Sequence, residues 1–330
     1  MNDTTLFASD ISKSIACYVA LKKALGRKYD SERAVLRHLG TFLIAARVDL
    51  TAESFASWCR TREHLASGVR RNWMRVVRNL CLYRRRTEPA CFVPDPSQFP
   101  PLHQPIRPHI FTEAEISRLL AAADQLRPSA CSPLRRENVR LALMLLYTTG
   151  MRRGELLRLI LGDYDPSERT LLVRESKFHK SRLLPLSYEG ASELETYLEV
   201  RRARGLPVSA AAPLLWNPYN GGKAYTGEGF SWTIRGLLQA TGIRTVAGRP
   251  PRVHDFRHTF AVHAMLRWYR AGEDIQAKLP LLSTYMGHVS IVSTAYYLPF
   301  VEQLAASASE RFAQRCGAIV SFDHANGGGS

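Results

Sequence analysis

The stretch that decides the fold lies between residues 252 and 300. It reads RVHDFRHTFAVHAML over 252–266 and LLSTYMGHVSIVSTAYYLPF over 281–300. Its chemically active side chains follow one another at intervals of three, thirty-one and nine residues: His254, Arg257, His288 and Tyr297. Two histidines and an arginine are suited to binding an anion, and a tyrosine can form a covalent phosphoryl intermediate. The stretch therefore indicates chemistry on a phosphate group.

A second arginine far upstream fits the same purpose. Arg152 stands in TTGMRRGELLRL, where Gly150 ends one predicted helix and a turn leads into the next. An arginine at a helix N-terminus lies beside free backbone N–H groups, which favours an anion. Arg152 and Arg257 could together clamp a phosphodiester without a metal, because a guanidinium stays charged and presents a planar fork of donors.

Taken singly, none of these residues is specific. A His-x-x-Arg pair is usually a surface pair, a tyrosine in AYYL is usually a core aromatic, and an arginine beside another arginine is usually solvated. Their order and their context are what give them weight.

The net charge favours a polyanionic partner. The 330 residues include 45 Lys and Arg against 29 Asp and Glu, a formal charge of +16. Residues 1–90 hold 17 basic and 8 acidic side chains, a surplus of 9, which leaves 7 for the other 240 residues. Nucleic acid is the commonest partner of such a chain, and a merely basic protein is the alternative.

Several other classes of protein are disfavoured. The six cysteines show no CxxC spacing and no neighbouring histidine, so we expect no zinc site. The first residues, MNDTTLFASD, lack the basic and apolar regions of a signal peptide. No window reaches the roughly 18 apolar residues of a transmembrane helix, so we expect no membrane span.

The first 91 residues are predicted to form an all-helical DNA-binding domain. Apolar residues at helical spacing predict helices over 8–28, 31–46, 51–60 and 67–86. The fourth helix has an arginine-rich face that supplies the candidate DNA contacts Arg70, Arg71, Arg75 and Arg78. Such a face fits the DNA backbone, where charge neutralisation releases counterions, and a solvated helix face is the alternative.

A proline-rich segment marks the domain boundary. Residues 92–111 contain six prolines, which exclude a regular helix or a central strand. We interpret 92–111 as a linker, 112–316 as a second domain, and 317–330, which ends in GGGS, as a tail.

The second domain is predicted to be mainly helical with a small β-hairpin. Helices are expected over 113–126, 134–150, 188–204 and 230–242, with a further helix in RRGELLRLILGDY and an amphipathic one over 301–315. Residues 217–222 are expected to form a turn-rich loop. Two short strands over 170–174 and 182–186 would place the lysines of ESKFHKS at the hairpin tip, where Lys180 is a further candidate DNA contact.

Four ordered motifs resemble those of the tyrosine recombinase family (phage integrases, Xer and Cre). TTGMRRGELLRL resembles the first-arginine motif, and ESKFHKSRLLPL resembles the hairpin with the catalytic lysine. VHDFRHTFA is similar to the H-x-L-R-H-T-F-A box, and MGHVSIVSTAYY to the motif that ends in the nucleophile. The resemblance covers about residues 112–316. The first domain resembles the family's core-binding domain only in position, size and charge.

The resemblance implies a catalytic set and a mechanism. The set is Arg152, Lys177, His254, Arg257, His288 and Tyr297, with Glu155 as the buried glutamate of the first motif. Tyr297 would attack a DNA phosphate to give a 3′-phosphotyrosyl link, and Lys177 would protonate the leaving 5′-oxygen. No metal or ATP is implied. The implied partners are double-stranded recombination sites and three further copies of the chain, with accessory recombinases as additional candidates, in the bacterial cytoplasm or nucleoid.

The chain departs from the family pattern in three places. The hairpin has Ser-Lys-Phe in place of Gly-Lys-Gly, so Lys180 is a rival to Lys177 as the general acid. Asp255 and Phe256 fill the slot usually written x-Leu, and the spacer from Arg257 to His288 is long. Tyr296 is a rival nucleophile, but the nine-residue interval from His288 favours Tyr297.

Four roles remain open at this point. The hairpin and the spacer favour a mobile-element recombinase, and an Xer-like dimer resolvase is the alternative. The chain starts almost at once with a helix, so we expect no arm-binding domain. An enzyme like type IB topoisomerases would share the chemistry, and a DNA-binding protein with an inert site is the non-enzymatic alternative.

Overall fold

The computed structural model describes residues 3–101, 107–130, 132–174, 181–222, 224–288 and 290–301. The chain divides into two compact units, Met1–Arg107 and Pro108–Ser330. The described residues are mainly helical with a small sheet, which confirms the predicted fold class. Within those ranges no helix is long and apolar enough to cross a membrane.

Over residues 3–101 the first unit is a helical bundle around one apolar core. Its helices are α1 (Asp3–Ala24), α2 (Asp30–Ala46), α3 (Ala52–Arg60) and α4 (Ser67–Arg84). Thr51 begins α3 through reciprocal hydrogen bonds with Ser54. The side chains of Leu36, Leu39 and Leu80 have no exposed surface, because the apolar stripes of α2 and α4 face each other.

The first part of the proline-rich segment, which was predicted to be a linker over 92–111, packs on this core. Phe92 and Phe99 pack against the core of the first unit. Pro96–Gln98 form one 3-10 turn, whose first position suits proline. Arg71 of α4 donates to the carbonyl of Pro100 over 2.8 Å. Apolar residues between the prolines explain why this part is folded.

Helix α6 (Arg135–Thr149) lies at the centre of the second unit. Leu141, Leu145 and Leu146 are each at most 1% exposed, as expected for a helix that is apolar all round. It packs on α5 (Glu113–Asp124), which begins with a capping box between Thr112 and Glu115. Gly150 ends α6.

A three-stranded antiparallel sheet includes the predicted hairpin. Strand β2 (Thr170–Val173) lies between β1 (Tyr164–Asp165) and β3 (Arg182–Pro185). Leu171 pairs with Leu184, and both are fully buried, because alternate side chains of the two strands face the core.

The remaining helices complete the second unit. They are α8 (Tyr188–Ala203), α9 (Tyr219–Gly222), α10 (Gly227–Ala240), α11 (Asp255–Arg270), α12 (Ile275–Met286) and α13 (Val292–Ala295). Helix α9 is a single turn at the predicted loop over 217–222. Helix α11 joins two cores: Phe256 belongs to the core around α6, whereas Met265 packs with α12 and Tyr297. The long spacer is thus the end of α11 and all of α12.

The prediction of a continuous helix in RRGELLRLILGDY is wrong. Helix α7 covers only Arg153–Leu156. Beyond it the chain turns at 157–158, and Leu161–Asp163 form a 3-10 turn. Between them the N–H of Leu214 donates to the carbonyl of Leu159, and the N–H of Leu161 donates to the carbonyl of Ala212. Tertiary pairing with residues 210–214 therefore overrides local helix propensity. The rest of the helix predicted over 301–315 lies outside the described residues after Val301.

Candidate active site

Arg152 makes three hydrogen bonds at the start of α7. Its N–H donates to Oε2 of Glu155 over 2.9 Å, and Nη1 donates to Oε1 of the same carboxylate over 2.7 Å. Nη2 donates to the carbonyl of Gly287 over 3.0 Å. The guanidinium is thus fixed to α7 and to the end of α12, while part of it still reaches solvent.

Glu155 is a buried carboxylate between two arginines. It is 3% exposed, and Arg182 donates to its two oxygens over 3.2 and 2.8 Å. Burial on its own raises the pKa of Glu155, but the hydrogen bonds from Arg182 and Arg152 outweigh it and lower the pKa to about 2. Glu155 therefore stays ionised and orients both guanidinium groups.

The C-terminal end of α12 presents three successive carbonyls to three arginines. Tyr285 accepts from Nε of Arg182 over 2.8 Å, and Met286 accepts from Nη2 of Arg257 over 2.6 Å. Gly287 accepts from Arg152, as described above. The last carbonyls of a helix have no partner within it, so these arginines satisfy them.

Arg257 is the most enclosed of these arginines. It is 2% exposed, and its Nη1 donates to the carbonyl of Gly150 over 2.8 Å. Burial, followed by the charge of Arg152, lowers the pKa of Arg257 to about 9. The guanidinium is therefore still protonated at neutral pH, and two like charges lie close together where an anion would relieve their repulsion.

Two glycines make this arrangement possible. Gly150 and Gly287 end α6 and α12 with φ of 60° and 65°, a conformation that side chains other than glycine rarely adopt. A Cβ at Gly150 would also collide with the ring of Phe260. The carbonyl of Gly150 accepts from Arg257, and that of Gly287 accepts from Arg152. The two turns therefore set the distance between α6, α7, α11 and α12.

His288 follows Gly287 and is oriented by α13. Its N–H donates to the carbonyl of Ser283 over 2.9 Å, which continues the cap of α12. Its Nδ1 lies 2.7 Å from the hydroxyl of Thr294, a fully buried residue. Burial, then the charge of Arg257, lowers the pKa of His288 to about 4, so the ring is neutral at neutral pH.

Tyr297 lies against two histidines. Its ring stacks on His288 with centroids 6.4 Å apart and an angle of 23°. Its Oη lies 3.1 Å from Nδ1 of His258. Tyr297 is 3% exposed, and burial raises the pKa of its phenol to about 12. Tyr296 is 42% exposed and contacts the ring of Tyr297, so Tyr297 is the tyrosine whose oxygen reaches the histidine cluster.

His254 begins α11 one turn before His258. The two imidazoles meet edge to face with centroids 4.7 Å apart. Partial burial, followed by the charges of Arg257 and Arg252, lowers the pKa of His254, although its side chain still reaches solvent. Both histidines therefore favour the neutral form.

A basic recess opens beside Arg152. Its volume is about 780 Å³, and its basic lining residues are Arg152, Arg153, Arg235, Arg249, Arg252 and His254. A concave surface with this many guanidinium groups concentrates positive potential beside the motif arginines, which suits a polyanion.

The two lysines predicted at the hairpin tip, Lys177 and Lys180, lie outside the described residues. Val173 pairs with Arg182, so the segment that contains both lysines connects these two positions. Arg182 in turn donates to Glu155, which places the base of the hairpin at the site.

The predicted DNA-contact arginines of α4 differ in their surroundings. Arg75 is exposed and donates to Asn72, Arg70 and Arg78 are half-buried, and Arg71 packs against the proline-rich segment. Arg84, farther along α4, is buried and pairs with Glu88.

The structure brings five predicted site residues into one cluster, which are Arg152, His254, Arg257, His288 and Tyr297. Arg152 and Arg257 share the end of α12, and His254, His258, Tyr297 and His288 are linked by ring contacts. The sequence motifs did not single out His258, Arg182 and Thr294. His258 had a sequence signal, because residues four apart share a helix face and His254 was already a candidate. Arg182 and Thr294 had none. In the described part of the chain, no group of three or more His, Cys, Asp and Glu side chains is arranged to bind a metal.

The sequence is similar to known recombinases. Residues 109–302, more than half of the chain, match the phage integrase family. The Sinorhizobium fredii protein y4rB, whose name describes an integrase/recombinase, is 30% identical over 311 residues, which cover 93% of this chain and 98% of that protein. The tyrosine recombinase XerD of Brucella suis is 29% identical over 222 residues, 66% of each chain.

Solved structures share the fold. The XerH recombinase bound to palindromic difH DNA has a TM-score of 0.61 and 20% identity, covering 85% of this chain and 78% of that one. The Tn1549 transposon integrase bound to transposon right end DNA has a TM-score of 0.59 and 17% identity, covering 91% and 99%. The chain belongs to the phage integrase family and is a tyrosine-type site-specific recombinase.

Proposed function

We propose that this enzyme cuts and rejoins DNA through a 3′-phosphotyrosyl intermediate at Tyr297. The observation that carries the proposal is the cluster itself. A buried tyrosine contacts His288 and His258, beside two arginines whose charges lie close together. A phosphodiester is the anion that such a site would take, because the tyrosine supplies a nucleophile where the arginines supply charge.

In the proposed reaction Oη of Tyr297 attacks the phosphorus and the bond to the 5′-oxygen breaks. Arg152, Arg257 and His288 hold the non-bridging oxygens, whose charge grows in the transition state. Lys177 donates a proton to the leaving 5′-oxygen, with Lys180 as the rival donor, and His254 assists proton transfer. A 5′-hydroxyl from the partner strand then attacks the phosphotyrosyl bond and restores Tyr297. The phosphodiester energy is retained, so the cycle uses neither ATP nor metal.

The assembly that we propose is a tetramer on two DNA sites. Exchange of one strand pair gives a Holliday junction, and exchange of the second pair resolves it. Residues 1–91 would form the core-binding domain, 92–111 the connection, 112–316 the catalytic domain and 317–330 a tail. Arg70, Arg71, Arg75 and Arg78 would contact the DNA backbone on the first domain.

The biological role that we propose is recombination of a mobile element in the bacterial cytoplasm. The unusual hairpin sequence ESKFHKS and the long α11–α12 segment support this role, as does the likeness to a transposon integrase. An Xer-like resolvase of chromosome or plasmid dimers is the alternative, and either role leaves room for an accessory recombinase.

The test is covalent trapping. Wild-type protein is incubated with a library of random nicked duplexes, adducts are recovered under denaturing conditions, and their DNA is sequenced. We expect an adduct with a shared sequence, none with Tyr297→Phe, and a near wild-type yield with Tyr296→Phe. An adduct with Tyr297→Phe would show that another residue is the nucleophile. Exchange between two labelled duplexes then separates recombination from topoisomerase-like relaxation.

The general acid is tested with a 5′-bridging phosphorothiolate on the recovered sequence. A thiolate leaves without a proton, so the missing acid is bypassed. We expect Lys177→Ala to be slow on the oxygen substrate and fast on the sulfur substrate, with Lys180→Ala unaffected on both. Rescue confined to Lys180→Ala would transfer the role to Lys180.

A further inference from the structure

We propose that His258 is the general base that accepts the phenolic proton of Tyr297. Nδ1 of His258 lies 3.1 Å from Oη of Tyr297, and the rings meet at 62° with centroids 5.4 Å apart. That distance is within reach for direct proton transfer. The proposal rests on the proposed function, because it takes Tyr297 as the nucleophile.

A base is needed because Tyr297 is a protonated phenol in a buried position. At 3% exposure the phenol has little access to solvent water, and burial holds its pKa at about 12. Roughly one molecule in 10⁵ would be ionised at pH 7. The proton must therefore pass to a neighbouring group as the oxygen attacks.

The geometry favours His258 over the other candidates. The ring of His288 lies nearly parallel to that of Tyr297, and its Nδ1 contacts Thr294. An imidazole accepts protons in the plane of its ring, so a stacked ring is poorly placed as a base. Glu155 is occupied by two arginines. Only in His258 does a ring nitrogen lie at hydrogen-bond distance from the tyrosine oxygen among the described residues.

The electrostatic surroundings keep His258 neutral and ready to accept. Burial is the main cause, and the neighbouring His254 and the charges of Arg252 and Arg257 act in the same direction, against the carboxylate of Asp255. The pKa of His258 falls to about 4. The neutral ring with its proton on Nε2 leaves a lone pair on Nδ1 for the phenol. A bound phosphodiester would offset the positive neighbours, so DNA itself would strengthen the base.

The proton balance of the proposed step is simple. As Oη bonds to phosphorus, the phenolic proton moves to Nδ1 of His258 and gives an imidazolium. The 5′-oxygen leaves with a proton from the separate acid. In the rejoining step the 5′-hydroxyl returns a proton to the separate acid as its oxygen bonds to phosphorus. The bond between phosphorus and Oη breaks, and the imidazolium returns its proton to Oη.

The test compares His258→Ala with His258→Asn in single-turnover cleavage of the duplex recovered by trapping. Asparagine places an amide where Nδ1 lies, so it keeps a hydrogen bond but cannot take a proton. We expect both variants to lose about 10²- to 10⁴-fold in rate. Between pH 7 and 9 their rates should rise about tenfold per pH unit, as the phenolate fraction does, while the wild-type rate stays level.

The matched control is His263→Asn, which changes a half-buried histidine on the same helix that contacts Tyr147. It should cleave at the wild-type rate, and the melting temperature of each variant checks folding. A near wild-type rate for His258→Asn would reduce His258 to a positioning residue. A faster or unchanged rate for His258→Ala would show that the contact only restrains Tyr297. Either result overturns the proposal.

The phosphorothiolate substrate separates the base from the acid. A sulfur leaving group should rescue an acid variant but leave His258→Asn slow, because deprotonation of the tyrosine is still required. Rescue of His258→Asn by the sulfur leaving group would mean that His258 acts on the leaving 5′-oxygen and not on Tyr297, which would contradict the proposal. Absence of any wild-type adduct would instead refute the proposed function together with this inference.

Discussion

The two halves of the active site are held in different ways. In the arginine half, Arg152, Arg182 and Arg257 donate to backbone carbonyls at the ends of α6 and α12, and Glu155 neutralises two of them. In the nucleophile half, Tyr297 follows the four-residue helix α13 and is placed by ring contacts and one hydrogen bond to a side chain.

This difference shows which part is preorganised. Donors fixed by the backbone need no reorganisation when charge develops on a phosphate, which is where electrostatic catalysis is most effective. A nucleophile held by a few side chains can adjust its position when a phosphate enters. Changes in the arginine half should therefore reduce both stability and rate, whereas changes in the nucleophile half should mainly reduce rate.

Within the arginine half, the largest effect on rate is expected for Arg257→Lys. Lysine keeps the charge but cannot donate to Gly150 and Met286 while also binding a phosphate oxygen. We expect single-turnover cleavage to fall about 10²- to 10³-fold, with a lower melting temperature. If Arg257→Lys lost rate without losing stability, the same hydrogen bonds would not serve both folding and catalysis in the arginine half.

A substantial loss of stability is expected for Glu155→Gln. The variant removes the negative charge between Arg152 and Arg182 but keeps the shape of the side chain. Urea unfolding of the full chain should show a loss of about 2 kcal/mol, the scale of hydrogen bonds to a buried charged group. Glu193→Gln, which loosens a half-exposed pair with Arg140, is the control and should cost clearly less. Equal losses of unfolding free energy in the two variants would mean that burial does not increase the contribution of Glu155 to stability.

Mild acid should destabilise the protein through the histidines of the nucleophile half. The pKa values of His258 and His288 are about 4 in the folded chain, against about 6.5 when unfolded. The unfolded state then binds more protons between these values, so stability decreases as the pH falls from about 6.5 to 4. We expect the melting temperature of a His258→Asn/His288→Asn variant to fall less between pH 7 and 5 than that of the wild type.

The smallest effect is expected outside both halves, for Arg75→Ala on α4. Arg75 is exposed, and we expect its loss to weaken DNA binding slightly and to reduce the slope of log affinity against log salt by about 1. Arg33→Ala, which removes an exposed arginine paired with Asp30 on α2, is the matched control. Equal salt slopes for both variants and the wild type would argue against a DNA contact at Arg75.

The sequence was most informative where the pattern is local. Helical spacing predicted most helices to within a few residues, and two short apolar runs over 170–174 and 182–186 predicted the β2–β3 hairpin. Motif order selected Arg152, His254, Arg257, His288 and Tyr297, which the fold brings together. Gly150 was predicted as a helix end, and it adopts the positive φ that favours glycine there.

What the sequence did not reveal depends on contacts between distant segments. Arg182 begins a strand, and only the fold shows that it donates to Glu155 and to Tyr285. Residues 157–163 had helical character in the sequence, but they end α7 in a turn and pair with residues 210–214, so the helix does not continue. The contact of His258 with Tyr297 spans 39 positions, so no local pattern could indicate it.

The most direct test of Tyr297 as the nucleophile is to locate the covalent bond between protein and DNA. Trapped adducts would be digested with nuclease and trypsin, and the nucleotide-bearing peptide would be fragmented in a mass spectrometer to distinguish Tyr296 from Tyr297. We expect a nucleotide joined through its 3′-phosphate to Tyr297. A nucleotide on Tyr296, or one joined through its 5′-phosphate, would contradict it.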